Sequence, residues 1–261
     1  PFFLFMSYRS PHSFEGPIRD TLFYADQDWP DIEKAHAAKI TLLDRQIGRL
    51  LRQLKKIGVL DNTLVVFTSD NGPHFSPGGH DHEFFDSNGP LRGGKRDLYD
   101  GGIRVPMLVS WKGNVSPATT TEHILGFQDL MPTFAEIVGA PIPEQTDGLS
   151  FLPLLVGAPQ EKHEFLNWEY QMSGWFQTLP KGGFRQSIRR ENWKAVRYGV
   201  NTETELYNLD HDILEVQNLA KAYPQIVEEM NAHFASARTE TARFPFGGVI
   251  QDHKSMNKLI K

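Results

Sequence analysis

Asp70 and Asn71 stand side by side in Thr68-Ser69-Asp70-Asn71-Gly72-Pro73, directly after an apolar, β-branched run. A carboxylate and an amide oxygen are hard donors of the kind taken by Ca²⁺ or Mg²⁺. Neighbouring residues on a continuing strand point to opposite faces, so the pair can share one ion only where the chain bends. Gly72-Pro73 allows that bend, although Asn-Gly is also the mark of a plain turn, which is the reading the pair carries on its own. Gly93-Gly94-Lys95-Arg96 sets an ammonium on a permissive backbone, suited to approaching an anion. It lacks the spacing of a phosphate-binding P-loop, and a solvated surface lysine is the plain alternative. His12 follows an apolar segment through Pro11, while His74, His80 and His82 gather loosely around Asp81. Zinc is conceivable there, but the helical i,i+4 histidine pair of a zinc protease is missing, which leaves a polar loop as the default. Each signal is weak singly. Together they put polar groups on loops that follow buried strands, where active sites collect.

Elements must position these groups. The opening Phe2-Phe3-Leu4-Phe5-Met6-Ser7 reads as a buried strand, with regular structure stopped by Pro11. Between about 31 and 57 the residues Leu43, Ile47, Leu50, Leu54 and Ile57 recur at steps of four, three, four and three. That is one face of an amphipathic helix, with Gly58 as its stop and Arg49, Arg52, Lys55 and Lys56 suited to its C-terminal dipole. Residues 63–68 are apolar on both parities, as in a strand buried on both faces. Strand, helix, strand predicts a βαβ unit in a parallel sheet. Residues 69–102 form a long loop with eight glycines, a length that points to function. A strand at about 103–111 and a helix at about 127–138, closed by Gly139, follow. Beyond residue 157 the pattern changes to short strands at 164–170, 184–190, 193–198 and Leu206-Tyr207, then a helix at about 223–237. The expected division is an α/β part over 1–157 and a smaller α+β part over 158–261.

Composition narrows the classes. The 27 Lys+Arg against 32 Asp+Glu leave a net charge of −5, without a basic stripe, so nucleic acid is not expected as a partner. No run approaches the ~18 apolar residues of a membrane-crossing helix. Cysteine is absent, which excludes disulfides, thiolate metal sites and a cysteine nucleophile within this sequence. The opening run has neither the basic lead nor the small-residue cleavage site of a signal peptide. A protein rarely begins on a core strand, so the expectation is a fragment.

The same residues carry a resemblance. Phe2 to Tyr8 leading into Ser10-Pro11-His12 is similar to the middle of the type I, formylglycine-dependent sulfatases. So are Asp61-Asn62-Thr63 through Thr68-Ser69-Asp70-Asn71-Gly72-Pro73, and Gly89-Pro90-Leu91-Arg92-Gly93-Gly94-Lys95-Arg96 running to Gly101-Gly102-Ile103-Arg104-Val105-Pro106. Glu205-Leu206-Tyr207-Asn208-Leu209, with Glu215 and Asn218-Leu219-Ala220, resembles the family's C-terminal subdomain. The resemblance runs over nearly the whole chain in the family's order.

The resemblance implies an alkaline-phosphatase-like α/β sheet with flanking helices, present in part, and a smaller C-terminal subdomain. It implies that Asp70 and Asn71 are two ligands of an active-site Ca²⁺, with Mg²⁺ the lesser alternative. Lys95 and His12 would hold sulfate oxygens and assist departure of the alcohol, and His80 and Asp81 lie where substrate contacts could fall. The substrate would be a sulfated small molecule or glycan, and the location periplasmic or secreted. The family's Cys- or Ser-x-Pro-x-Arg segment, whose first residue becomes formylglycine, has no counterpart, because Ser10, Ser76 and Ser116 precede proline directly. The early aspartate pair that completes the metal site is also absent. The chain by itself is therefore expected to be inactive. Two other readings stand beside this one: a phosphonate or phosphate ester hydrolase of the same superfamily, and a non-catalytic fragment that binds anions or a partner.

Overall fold

The computed structural model describes residues 1–12, 21–74, 79–171, 183–242 and 245–247. The long amphipathic pattern forms α1 (Asp31–Lys56), with Asp31 and Glu33 in its first turn and Lys55 and Lys56 in its last. These charges oppose the helix dipole at both ends. Gly58 follows at φ +76°, a left-handed conformation that glycine adopts without steric cost and that turns the chain away. The chain returns in β1 (Val65–Thr68), which pairs antiparallel with β2 (Met107–Ser110), Val65 opposite Ser110 and Thr68 opposite Met107.

Four expectations are corrected here. Residues 2–7 form no strand, and Phe3 and Phe5 are 75% and 79% exposed. The apolar run pairs with no described strand, and Phe3 only meets the edge of Phe134, with ring centroids 5.8 Å apart. The parallel βαβ pair is accordingly not formed among the described residues. β1 is also less covered than its composition implies, since Phe67 is 40% exposed. The strand expected at 103–111 is shortened to four residues, because α2 (Asp100–Ile103) and Pro106 occupy its start.

α3 (Leu130–Val138) ends at Gly139, φ +68°, as its sequence predicts, and the short α4 (Leu152–Leu155) follows. Buried Asp129 ties this region together. Its carboxylate accepts from the backbone N–H of Gly126 and of Leu149 and from His163 Nε2, each at 2.8 Å.

The C-terminal part is an antiparallel sheet of β3 (Leu166–Gln171), β4 (Phe184–Arg190), β5 (Trp193–Tyr198) and β6 (Glu205–Asn208), in that order. Register sets Ile188 opposite Ala195 and Ala195 opposite Leu206. This apolar row packs on Met230 and Phe234 of α5 (Pro224–Ser236), and all five side chains are buried. The opposite face is also covered. Arg185 stands across from Tyr198 and Lys194 across from Tyr207, and this polar and aromatic face meets the segment from Arg92 to Arg104.

Candidate active site

The Asp-Asn-Gly-Pro bend and the Gly-Gly-Lys loop lie against each other. Gly72 N–H donates to the Gly102 carbonyl at 3.0 Å, and Lys95 N–H donates to the Pro73 carbonyl at 2.7 Å. The bend after β1 and the Gly-Gly-Lys loop are therefore joined backbone to backbone. Only glycine permits the approach: a Cβ on Gly72 would lie 2.9 Å from the Gly101 carbonyl carbon and 3.2 Å from Gly102 Cα, with the Gly101 oxygen nearer still.

Asp70 is exposed at the end of β1, and its carboxylate makes no hydrogen bond or ion pair among the described residues. Asn71 spends its amide N–H on the Gly72 carbonyl at 2.9 Å, which leaves Oδ1 as its acceptor. The chain does bend here, with Ser69 Oγ donating to the Asn71 carbonyl at 3.0 Å. An uncommitted carboxylate beside an amide oxygen fits a hard cation, but Ca²⁺ takes about six to eight oxygens and two make only part of a shell. Among the described residues no group of three or more acidic or histidine side chains is arranged to hold a metal.

His12 joins from the other side. Its ring stacks near His74, with centroids 6.4 Å apart, and its carbonyl accepts from Lys39 Nζ at 3.2 Å. Arg96 Nη1 donates to His74 Nε2 at 2.9 Å. The His74 imidazole is held below its usual pKa by burial first, then by the positive charges of Arg96, Lys95 and His12. The accepting Nε2 belongs to a neutral ring, so the geometry and the field agree. Lys95, Arg96 and His12 thus set positive charge around the neutral His74 ring, and Lys95 is tied through its backbone to Pro73, two residues beyond Asn71, which is chemistry suited to an anion.

His80 and Asp81 are placed differently. Both His80 ring nitrogens are engaged, Nδ1 with Glu33 Oε2 at 2.5 Å and Nε2 with Ser87 Oγ at 2.7 Å. Its ring lies on that of His36 at 3.7 Å and 4°. Buried Glu33 also accepts from Asp81 N–H at 2.8 Å, and the Asp81 side chain remains exposed.

The residues that steady the Lys95 loop carry no motif in the sequence. Arg185 of β4 donates to the Arg96 carbonyl at 2.5 Å and to Asp97 Oδ1 at 2.7 Å, and the Tyr198 hydroxyl adds a bond to Asp97 at 3.1 Å. Arg92 lies over the Tyr99 ring at 3.8 Å and donates to the Tyr207 hydroxyl at 2.9 Å. Burial is the first cause that raises the phenols of Tyr99, Tyr198 and Tyr207 above their ordinary range, so they stay protonated donors. No local signal marks them, because Arg185, Lys194 and Tyr198 share one face only through the register of β4 with β5.

The sequence pattern of the family described as Sulfatase matches residues 1–140, and that described as N-sulphoglucosamine sulphohydrolase, C-terminal, matches residues 81–240. The uncharacterized sulfatase YdeN of Escherichia coli (strain K12) is 29% identical over 260 residues, covering 88% of this chain and 45% of its own length. The N-acetylgalactosamine-6-O-sulfatase of Bacteroides thetaiotaomicron is 30% identical, covering 77% of this chain and 41% of its own. The crystal structure of Ps i-CgsB in complex with k-i-k-neocarrahexaose superposes with a TM-score of 0.76 at 28% identity, covering 96% of this chain and 52% of that one. The chain thus spans about half the length of the proteins it matches.

Proposed function

Since this chain belongs to the sulfatase family, with the family's alkaline-phosphatase-like fold, we propose that it is the C-terminal region of a sulfuric ester hydrolase acting on a sulfated carbohydrate. The observation that carries this reading is the pair of backbone bonds joining Gly72 to Gly102 and Lys95 to Pro73. They support a single site in which Asp70 and Asn71 face a cation while Lys95 and His12 face the sulfate group.

In that site the Lys95 ammonium meets the peripheral sulfate oxygens, where negative charge builds as the ester bond breaks. His12, in its protonated form, donates to the bridging oxygen as the alcohol departs, so that the leaving group is neutral. Asp70 and Asn71 would hold a Ca²⁺, which when bound adds a divalent charge at the same oxygens. The formylglycine nucleophile and the remaining metal ligands come, in this reading, from residues outside this sequence. Two facts support that: the sequence has no cysteine, and the matched proteins are about twice its length. The exposed apolar run Phe2 to Met6 would then be covered in the intact enzyme.

The finer parts are proposed on the same footing. His80 orders its loop through Glu33 and presents Asp81 to the substrate. Residues 1–157 belong to the catalytic α/β domain and 158–261 to the C-terminal subdomain. A glycan substrate suits a periplasmic or secreted enzyme, and no described helix is long and apolar enough to cross a membrane. The substrate class rests on the sugar-directed relative and on the carbohydrate complex of the structural neighbour.

The test compares full-length protein with this chain on three aryl esters sharing one leaving group: a sulfate, a phosphate and a phosphonate. The reading predicts that the full-length protein prefers the sulfate ester and that the isolated chain turns over none. Preference for the phosphonate, or sulfate turnover by the isolated chain, overturns it.

A further inference from the structure

Lys194 is wholly buried in β5, 0% exposed, with its ammonium 2.6 Å from Asp100 Oδ1 and 2.9 Å from Glu215 Oε1. Glu215, equally buried, accepts the Asp100 backbone N–H on its other oxygen at 2.6 Å. Asp100 is thus gripped through side chain and main chain at once. Arg104, four residues on, reaches its second oxygen at 3.4 Å.

Asp100 lies five residues after Lys95, and the intervening chain is fixed by the same face of the sheet. Arg185 and Tyr198 hold Arg96 and Asp97, while on the other flank Arg92 donates to the Glu215 carbonyl at 2.6 Å. Arg96 is kept at φ +80°, a left-handed conformation that side-chain-bearing residues adopt only when their surroundings dictate it. The Lys95 loop is therefore over-determined from 92 to 100. The means of holding it is unusual, because burying three charges carries a large desolvation cost and apolar replacements of similar volume are often as stable. Burial also pushes the Glu215 carboxyl above its ordinary range, against the pull of Lys194. Stability alone does not account for such an arrangement; fixed geometry at the loop does.

We infer that Lys194 and Glu215 are positioning residues, acting through Asp100 to set where the Lys95 ammonium stands in the active site. The inference rests on the reading of Lys95 as a group that touches the sulfate ester. It makes the C-terminal sheet a working part of catalysis, although its own side chains stay away from the substrate.

The experiment is a double-mutant cycle in the full-length enzyme, read as kcat on an aryl sulfate, whose peripheral oxygens Lys95 meets in the proposed site. One arm is Lys95→Ala. The other is Lys194→Met combined with Glu215→Gln, which removes one charge of each sign and leaves Asp100 beside Arg104. Lys95→Ala is expected to lower kcat about 100-fold in the parent and by less than about 5-fold in the Lys194→Met/Glu215→Gln background, since groups acting as a unit are non-additive. A loss of the same size in both backgrounds overturns the inference, because a merely structural role leaves the contribution of Lys95 intact. Glu215→Gln alone, which weakens the hold on Lys194 and on the Asp100 N–H at constant volume, supplies a second cycle should the double variant fail to fold. There the Lys95→Ala loss is expected to shrink by about 3-fold, and an unchanged loss counts against the inference. If Lys95→Ala has no effect in the parent, it is the catalytic reading of Lys95 that falls.

Discussion

Replacing Gly72 by alanine should separate the two halves of the site. The new methyl carbon would stand 2.9 Å from one backbone carbon of Gly101 and 3.2 Å from the Cα of Gly102. Carbon atoms meet without repulsion at about 3.5–4.0 Å, so one backbone has to withdraw by the order of 1 Å. Overpacking against side chains costs about 1–3 kcal/mol. Here the obstacles are main-chain atoms, and retreat breaks the Gly72 bond to Gly102, so about 3 kcal/mol or more is expected. For a chain of this size each kcal/mol lowers Tm by roughly 2–4 °C, which gives a fall of about 6–12 °C. Gly58→Ala is the internal control. Gly58 also has a positive φ, +76°, but no atom lies within 4 Å of its would-be Cβ. Only the left-handed conformation is then penalised, at about 1–2 kcal/mol. Thermal melts of the two variants in the same protein make the comparison. If Gly72→Ala melts within 2 °C of Gly58→Ala, the close approach that joins the motifs is refuted.

Other outcomes follow from buried groups. The His36 imidazole is lowered from 6.5 to about 4 by burial first and then by the charge of His80, with Glu33 opposing and Lys39 adding. A depressed folded-state pKa means that the unfolded chain binds more protons between those values, so stability is full above pH 6.5 and falls towards pH 4. The shift corresponds to roughly 3 kcal/mol, discounted for partial solvent access to about 1–2 kcal/mol. His36→Phe, which keeps a ring against His80, should flatten the Tm profile between pH 7 and 4.5, and an unchanged slope would show that other groups set the acid sensitivity. Thr133 is wholly buried; its hydroxyl donates to the Asp129 carbonyl at 2.6 Å and accepts from Phe151 N–H at 2.9 Å. Thr133→Val leaves both partners unsatisfied at nearly constant volume, for a loss of about 1–3 kcal/mol in urea unfolding; a loss below 0.5 kcal/mol would contradict that bonding.

What the sequence reveals differs between the two parts of the chain. Around α5 the local pattern suffices, because alternation in β4 to β6 and the helical spacing of Ile226, Met230 and Phe234 describe contacts made within one compact unit. The long helix is equally legible, since Leu43 to Leu54 repeat at helical spacing and Gly58 ends the run. The opening apolar run is not: its composition is that of a core strand, yet pairing is a long-range property and no described strand lies beside it. The pairing of β1 with β2 escapes for the same reason, as strand direction depends on which neighbour closes the sheet. For the proposed site, residue type offers Asp70, Asn71, Lys95 and His12 as candidates, with a turn or a surface lysine as the plain alternative. It could not identify Arg185, Lys194 or Glu215, whose importance lies in contacts across 88 to 115 residues of sequence. Charged residues in a strand ordinarily mark a solvated face, and only the fold reveals that this face is covered by the Lys95 loop.

The central claim is that four residues from three separate stretches form one sulfate-ester site. The direct test is kcat/KM for an aryl sulfate in full-length protein carrying Lys95→Ala, His12→Ala or Asp70→Asn, each checked for an unchanged melting temperature. The account predicts losses of about 100-fold or more for every variant, with the fold retained. Near-parental turnover in any of the three folded variants would contradict it.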